Sequence, residues 1–565
     1  MITLPQFPYT EVKEVQSWAN FHGTLDSVPI PIFCTPGYTD QQADPPGVRL
    51  ARHGEALRAI LRYCLQTKPV TRLRVLGSTW SMSTIVLPEQ MALDPSYFNV
   101  LLAIGDKYIS PENVSERNGK KFTPVYVEAG ARIQYISTSL ANQKLMIQTS
   151  GASDGHLLAG CIATASHGAA LRVGAVHDTV RAVHLVVGPD QALFIQPKSA
   201  PVCTEDMTAW LQTKTGIPTR HVVDDELFHA AQVGLGALGF VMGFIVDAEP
   251  LYSFRHIQLH LPWTDPNVQN AIRTLDTQPL HPGETRPPDH FDVIAHPYPP
   301  DNGPGAYVRL LWKNPTNTPG PFPDPVKPAI PCDLIGLVAS LAKGVTNMGR
   351  GLSRALVSKI VSDSIATSYP EVDENIFPYT IFGPTDTPRG HGISTEIVVN
   401  HEDTVAAVDA VRAVLDAKSG EGKYFLGGVG IRFTPASKAL LGMNIHPWNT
   451  YIELPGVRNP DVADIQRGCW EALDKANLNY TCHWGQLHGM TSQGLAGYFG
   501  DRVDRWKRAR ATFLPDAASQ RMFGGPFIEQ LELDSPPVPE RPERSWHFGD
   551  GLVGLDSLPR SSAVL

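Results

Sequence analysis

Between Thr149 and Pro197 the chain reads TSGASDGHLLAGCIATASHGAALRVGAVHDTVRAVHLVVGPDQALFIQP, which sets Gly151, Gly155, Gly160 and Gly168 among small residues ahead of the alternating run Val180, Ala182, His184, Val186. A backbone so bare of side chains can lie flush against a bulky planar ligand and turn its N–H groups toward a charged one. Two more turns of this texture flank it. Arg74-Val75-Leu76-Gly77-Ser78-Thr79-Trp80-Ser81-Met82-Ser83 lies upstream, and Gly234-Leu235-Gly236-Ala237-Leu238-Gly239-Phe240-Val241 lies downstream. One glycine-rich loop is more often a tight turn than a cofactor site; three in this order point to a shared ligand.

The segments between these loops alternate in period. Ala56, Leu57, Ile60, Leu61, Cys64 and Leu65 keep helical spacing directly before a strand over 72–76. A strand follows over 125–128, then a helical stripe of Ile133, Ile136 and Leu140, a short strand over 145–147 and a β-rich stretch over 180–196. This alternation predicts an α+β cofactor domain. It is not a Rossmann unit, because no G-x-G-x-x-G opens a helix after a first strand with an acidic residue following. After Pro250 the texture changes to alternating strands such as 255–261, a Pro-rich connection over 315–331, a strand over 395–399 and a helix carrying Val405, Val408, Val411 and Leu415.

Together the loops resemble the FAD-binding domain of the vanillyl-alcohol oxidase superfamily, specifically its aldonolactone and alditol oxidase branch, with the superfamily's sterol oxidases beside it. The family's first loop reads R-V-x-G-[ST]-x-H-S and cradles the pyrophosphate with backbone amides. Its second, with G-S and later G-x-x-[AS]-T-[AG]-T-H-G, runs along the isoalloxazine. The resemblance resumes at Arg432-Phe433-Thr434, at His483-Trp484-Gly485 and over 506–523. It implies a two-subdomain FAD-binding domain over 1–250, a substrate domain with an antiparallel sheet flanked by helices over 251–513, and a return to the FAD domain with a C-terminal tail over 514–565. The cofactor would rest on Val75, Leu76, Gly77, Ser78, Thr79, Trp80 and Ser81, on Gly151, Ala152, Leu157, Gly160, Cys161, Thr164, Ala165, Ser166, His167 and Gly168, and on Gly239 and Val241.

The departures from the family pattern carry as much information as the matches. Most relatives place a histidine that carries the flavin covalently where this chain has Trp80; an indole cannot make that bond, so non-covalent FAD is expected. Ala152 stands in place of a substrate-contacting serine, Gly430 in place of a glutamate two residues before the Arg, and Gln486 in place of the lysine of H-W-G-K. A buried polyol would leave hydroxyls unsatisfied there, at roughly 1–3 kcal/mol each, so a substrate less polar than a sugar lactone is expected. Gly151 leaves room for O₂ at the flavin, as the family's oxidases do.

A flavin oxidase needs positive charge near the reduced flavin and an acceptor for the alcohol proton. Arg432 is the candidate for the first role. Gln486, His483 and Glu396 complete the catalytic set, and His488 and His446 are further candidates for the base. The implied activity is hydride transfer from a C–H of a small alcohol to the flavin, with O₂ as acceptor and H₂O₂ as product. Flavin-dependent oxygenation or oxidative cyclisation is the alternative, and a catalytically inactive flavin-binding protein a third.

Composition adds exclusions. With 565 residues, 42% of them hydrophobic, the chain can build two or three domains. A net charge of −9 and a pI near 6.1 give no reason to expect nucleic-acid binding. Seven cysteines are scattered singly with no C-x-x-C pair, which argues against a disulfide framework or a zinc site, so no metal is expected. Without a signal-like N-terminus or a run of 18 apolar residues, a cytoplasmic location is expected. One segment falls outside the family pattern. From Asp333 as N-cap, Leu334, Leu337, Val338, Leu341, Val345, Met348, Leu352 and Leu356 keep helical spacing opposite Lys343, Arg350 and Arg354. A helical insertion over about 333–362 is expected, packed on the substrate domain or, through 334–361, lying against anionic lipid.

Overall fold

The computed structural model describes residues 3–40, 43–118, 122–151, 153–301, 303–316, 353–381 and 389–536. The chain builds an α+β fold around three sheets. Strands β1 (Thr10–Trp18), β2 (Val28–Pro36), β3 (Leu73–Val75) and β4 (Met91–Leu93) form the first, in the order β1-β2-β4-β3. β4 runs parallel to both its neighbours. Between β2 and β3 the chain makes the helix Pro46–Gln66, which buries Leu50, Ala56, Leu57, Ile60, Leu61 and Cys64. Proline suits that first turn because its missing N–H would have had no partner there.

The second sheet takes β5 (Leu101–Ala103), β6 (Thr123–Glu128), β7 (Leu145–Ile147), β8 (Val180–Gly188), β9 (Gln191–Gln196), β10 (Thr219–Val223) and β11 (Phe240–Pro250). Its order is β10-β9-β8-β11-β6-β5, with β7 also pairing β11. The stretch 240–241, at the end of the third glycine-rich loop, opens β11, a central strand bonded on both sides. β8 and β11 are buried along most of their length, which suits their runs of Val, Ile, Phe and Ala.

The third sheet is antiparallel throughout. It joins β12 (Tyr252–Leu261), β13 (His290–Ala295), β14 (Ala306–Pro315), β15 (Val372–Ile376), β16 (Gly392–Asn400), β17 (Val429–Pro435), β18 (Trp448–Val457) and β19 (Tyr480–Cys482) in the order β15-β12-β14-β13-β17-β18-β16-β19. The helices Thr404–Gly420 and Pro460–Lys475 pack on it, the second opened by Asn459, whose side chain accepts from the Val462 N–H. β17, β18 and β16 lie side by side next to the β19 edge of this sheet and face the cavity described below.

Past this sheet the chain runs through the helices Arg502–Phe513, Ala517–Met522 and Pro526–Gln530 back to the first sheet. Arg72 pairs with Glu529, and Arg521 Nε donates to the Val70 carbonyl at 3.0 Å. No helix among the described residues is long and apolar enough to cross a membrane. Of the expected insertion, 333–352 lies outside the described residues; the described helix is Arg354–Ser368, capped by Ser353. It buries Val357, Val361 and Ile365 and leaves Leu356 43% exposed, so the apolar stripe runs one residue past the one the sequence suggested. Two of the basic residues in that region are paired, Arg354 with Asp416 and Lys359 with Asp363.

Candidate active site

A cavity of about 250 Å³ runs between the second and third sheets, walled by the three glycine-rich loops on one side and by β16, β17 and β18 on the other. The first loop contributes Val75 through Ser81. The second contributes Gly151, Leu157, Gly160, Cys161, Thr164, Ser166 and His167, and the third Gly239 and Val241. Two candidates sit behind the wall: Ala165 turns left-handed (φ 57°) and is wholly buried, and a Cβ on Gly168 would meet the Ser150 carbonyl at 2.8 Å. Ala152 lies outside the described residues.

The loops make a cradle. Among the described residues, no protein acceptor takes the N–H groups of Gly77, Ser78, Thr79, Trp80 or Ser81, whereas Leu76 and Met82 on either side donate to Leu93 and Gly485. Five successive unspent donors in a cavity wall suit an anion. Gly77 and Gly160 face each other so closely that a Cβ on Gly77 would lie 3.7 Å from the Gly160 Cα. Trp80 stacks on Phe21 with ring centroids 4.3 Å apart and rests against His156 at 4.4 Å. Its indole is packed as wall.

At the other end stands a charged cluster drawn from four segments. His167 Nε2 lies 2.9 Å from Glu396 Oε2 on β16, and Arg432 Nη1 on β17 lies 3.2 Å from Glu396 Oε1 and 2.7 Å from Glu453 Oε2 on β18. Gln486 Nε2 donates to Glu453 Oε1 at 3.2 Å. The sheet register makes this meeting inevitable: Glu396 pairs with Glu453, and Glu453 with Gly430. Directly across from the glycine that replaces the family's glutamate, the neighbouring strand thus supplies a carboxylate. The expectation that this end of the cavity lacks polar partners is corrected by Glu453.

The electrostatics follow from burial and these contacts. Burial alone would raise Glu396, but His167, His483 and Arg432 outweigh it and hold the carboxyl well below its usual range. Burial likewise opposes the Arg432 charge, and Glu453, Glu396 and Asp292 more than offset it, so the guanidinium stays charged. His167 Nδ1 lies 2.9 Å from the Gly168 carbonyl while Nε2 lies 2.9 Å from Glu396 Oε2, so both ring nitrogens have a partner. That ring is stacked on Tyr451 at 3.5 Å. Arg432 and His167 thus meet the carboxyl groups of Glu396 and Glu453 in one cluster.

His483 lines the cavity, and burial pulls it down to about 4, so it is neutral. Its Nδ1 accepts from the Gly485 N–H at 3.0 Å, which leaves the ring proton on Nε2. It offers a donor where the sequence suggested a base. His446 packs against Tyr498 and His488 against Phe527, and neither lines the cavity. Further residues that the sequence did not single out also line it, among them His22, His156 and Glu453. Glu453 carried a usable signal, an acid in the otherwise apolar strand Tyr451-Ile452-Glu453-Leu454.

No protein-family model matches the chain. D-arabinono-1,4-lactone oxidase of Candida glabrata is 23% identical over 182 residues, 32% of this chain and 28% of that protein. L-gulono-1,4-lactone dehydrogenase of Mycobacterium tuberculosis is 20% identical over 444 residues, 78% of this chain and 86% of that protein. The similarity to the lactone oxidase thus spans little more than a quarter of that relative's length. Among solved structures, cholesterol oxidase from Brevibacterium sterolicum superposes with a TM-score of 0.62 at 12% identity, covering 94% of this chain and 100% of that one. The chain has the fold of cholesterol oxidase, and its sequence matches the aldonolactone oxidase branch to which its glycine-rich loops pointed.

Proposed function

We propose that the chain is an FAD-dependent oxidoreductase, an oxidase that takes hydride from the C–H of a small uncharged alcohol. The carrying observation is one cavity holding both a run of unspent backbone donors and a paired cluster of Glu396, Arg432, Glu453 and His167. In this reading 1–250 and the return from 514 hold the dinucleotide, and 251–513 the substrate. Gly77 through Ser81, Gly151 and Gly160 would hold the FAD without a covalent link, since Trp80 cannot form one. When bound, the flavin supplies hydride acceptance and delivery of electrons to O₂, giving H₂O₂.

The side chains have separable tasks. His483 Nε2–H is placed to donate to a substrate oxygen, and Glu453, steered by Gln486, to accept the hydroxyl hydrogen. Arg432 holds positive charge beside both and stabilises negative charge as it develops. Because Arg432 is already paired with both Glu396 and Glu453, a carboxylate substrate would find no free cation there and would enter at a large desolvation cost. The rest of the wall is mostly apolar, which supports a substrate with one hydroxylated end and an apolar body, less polar than a sugar lactone. The oxygenase and cyclase alternative is favoured by the lost glutamate and lysine; Glu453 answers the first of these, while Gln486 still stands in place of the second.

Purified protein should be yellow, and acid precipitation should leave its FAD in the supernatant. Under nitrogen, hydroxylated apolar compounds should bleach the flavin faster than xylitol or sorbitol. Flavin that stays with the precipitate removes the non-covalent reading, and bleaching by sugar alcohols alone removes the substrate reading.

A further inference from the structure

The cavity holds a second positive group far from the Glu396 cluster. Arg74, on β3, lines the wall just before the bare amides of Gly77 through Ser81. The residue is 6% exposed, yet among the described residues no carboxylate lies within 4 Å of its guanidinium. Its polar contacts are two long ones, Nη1 to the Leu235 carbonyl at 3.5 Å and Nη2 to the Gly524 carbonyl at 3.4 Å. Neighbouring Arg72, by contrast, is paired with both Glu89 and Glu529.

The chain has made room for this group from two distant segments. Gly236 (φ +69°) and Gly525 (φ +152°) stand against it, and a Cβ on either would lie 3.0 Å from Nη1 or 2.8 Å from Nη2. Both backbones are in a region that glycine alone occupies without strain. A buried cation without a counter-ion is costly, and a fold retains one where an anion arrives to pair with it. Burial here pulls the guanidinium down to about 10, and Glu89, which sits beyond ion-pair distance, offsets only part of that cost.

We propose that Arg74 is the charge partner of the cofactor's pyrophosphate, acting with the amides of Gly77 through Ser81 as one anion site. This rests on the dinucleotide reading above. The amides supply direction and the guanidinium supplies net charge, which five neutral donors cannot. A neutral flavin without phosphate would gain nothing from it.

The test uses apoprotein, with ADP, adenosine, riboflavin and FAD as probes. In the wild type, ADP should raise the melting temperature more than adenosine does, and the effect should shrink as salt rises. Arg74→Met should raise the dissociation constants of FAD and ADP at least tenfold, leave riboflavin and adenosine within threefold of wild type, and leave the apoprotein as stable as wild type or more so. Arg74→Lys should recover part of the loss. The proposal is overturned if adenosine stabilises the wild type as well as ADP does. FAD and ADP binding to Arg74→Met within threefold of wild type would overturn it too, and so would an apo variant that melts well below the wild type. A wild-type chain that takes up no flavin overturns the proposed function instead, while the ADP arm still reads Arg74.

Discussion

A single register position decides the character of the substrate end. Gly430 on β17 and Glu453 on β18 are direct cross-strand partners, and such partners present their Cβ atoms within about 4.5–5.5 Å of each other. A carboxylate added at 430 would face Glu453 with only Arg432 between them. Gly430→Glu should therefore lower stability by about 1–3 kcal/mol, because like charges opposed in a buried sheet repel. Glu453→Gly should lose turnover while keeping the fold. The double variant should regain much of that turnover, because the carboxylate has then changed strands without changing number. Calorimetry and steady-state kinetics on the four proteins of the cycle check this. Additive losses would show that the two positions do not serve one charge.

At the scale of elements, the loop carrying Gly77 and the short helix Leu158–Ala163 carrying Gly160 meet face to face. An added Cβ would find ordinary contact distances of 3.7–3.9 Å, so the fold should tolerate it while the gap between them fills. The pair Gly77→Ala with Gly160→Ala should leave the apoprotein's melting temperature within about 2 °C of wild type and weaken FAD binding at least tenfold, as titration of apoprotein would show. Equal FAD affinity would place the dinucleotide elsewhere.

These elements were legible for different reasons. The helices Pro46–Gln66 and Thr404–Gly420 and the strands β8 and β12 carry their periods in their own residues. The glycine-rich loops announced themselves by what they lack. Glu453 and His156 did not stand out, because each meets its partners from another segment. Strand periodicity shows that 448–457 is extended but not which strand lies beside it. His483 was located but its role was inverted, since its tautomer depends on the Gly485 N–H. Ala165 and Gly168 matched the motif and still fell behind the wall, because the left-handed turn at Ala165 rotates them away.

Over the whole molecule, one buried charge ties the first two sheets together. His53, on the helix Pro46–Gln66, lies between Asp40 (Nε2 at 2.7 Å) and Glu128 of β6 (Nδ1 at 2.8 Å) and stacks on Phe98. Burial alone would lower it, but Glu128 and Asp40 outweigh burial and raise it to about 9. The folded value exceeds the unfolded value, so the stabilisation is fully present below about pH 6.5 and is lost as pH rises through about 9. It amounts to roughly 3 kcal/mol. Melting temperature should fall between pH 6.5 and pH 9.5 in the wild type, and this slope should flatten in His53→Gln. A wild-type curve that stays level over that window would contradict the assignment.

Arg74 and Gly524 touch across 450 residues of chain, and this separation bears on how the molecule is made. At roughly 5–20 residues per second on a ribosome, about 20–90 s pass between the synthesis of the first wall of the cavity and that of the last. The amides of Gly77 through Ser81 can spend that interval hydrated, since water satisfies exposed backbone donors. A half-made chain offers a dinucleotide only part of its grip. The grip on a dinucleotide is therefore completed only once both ends of the chain have met, after the early sheets can form.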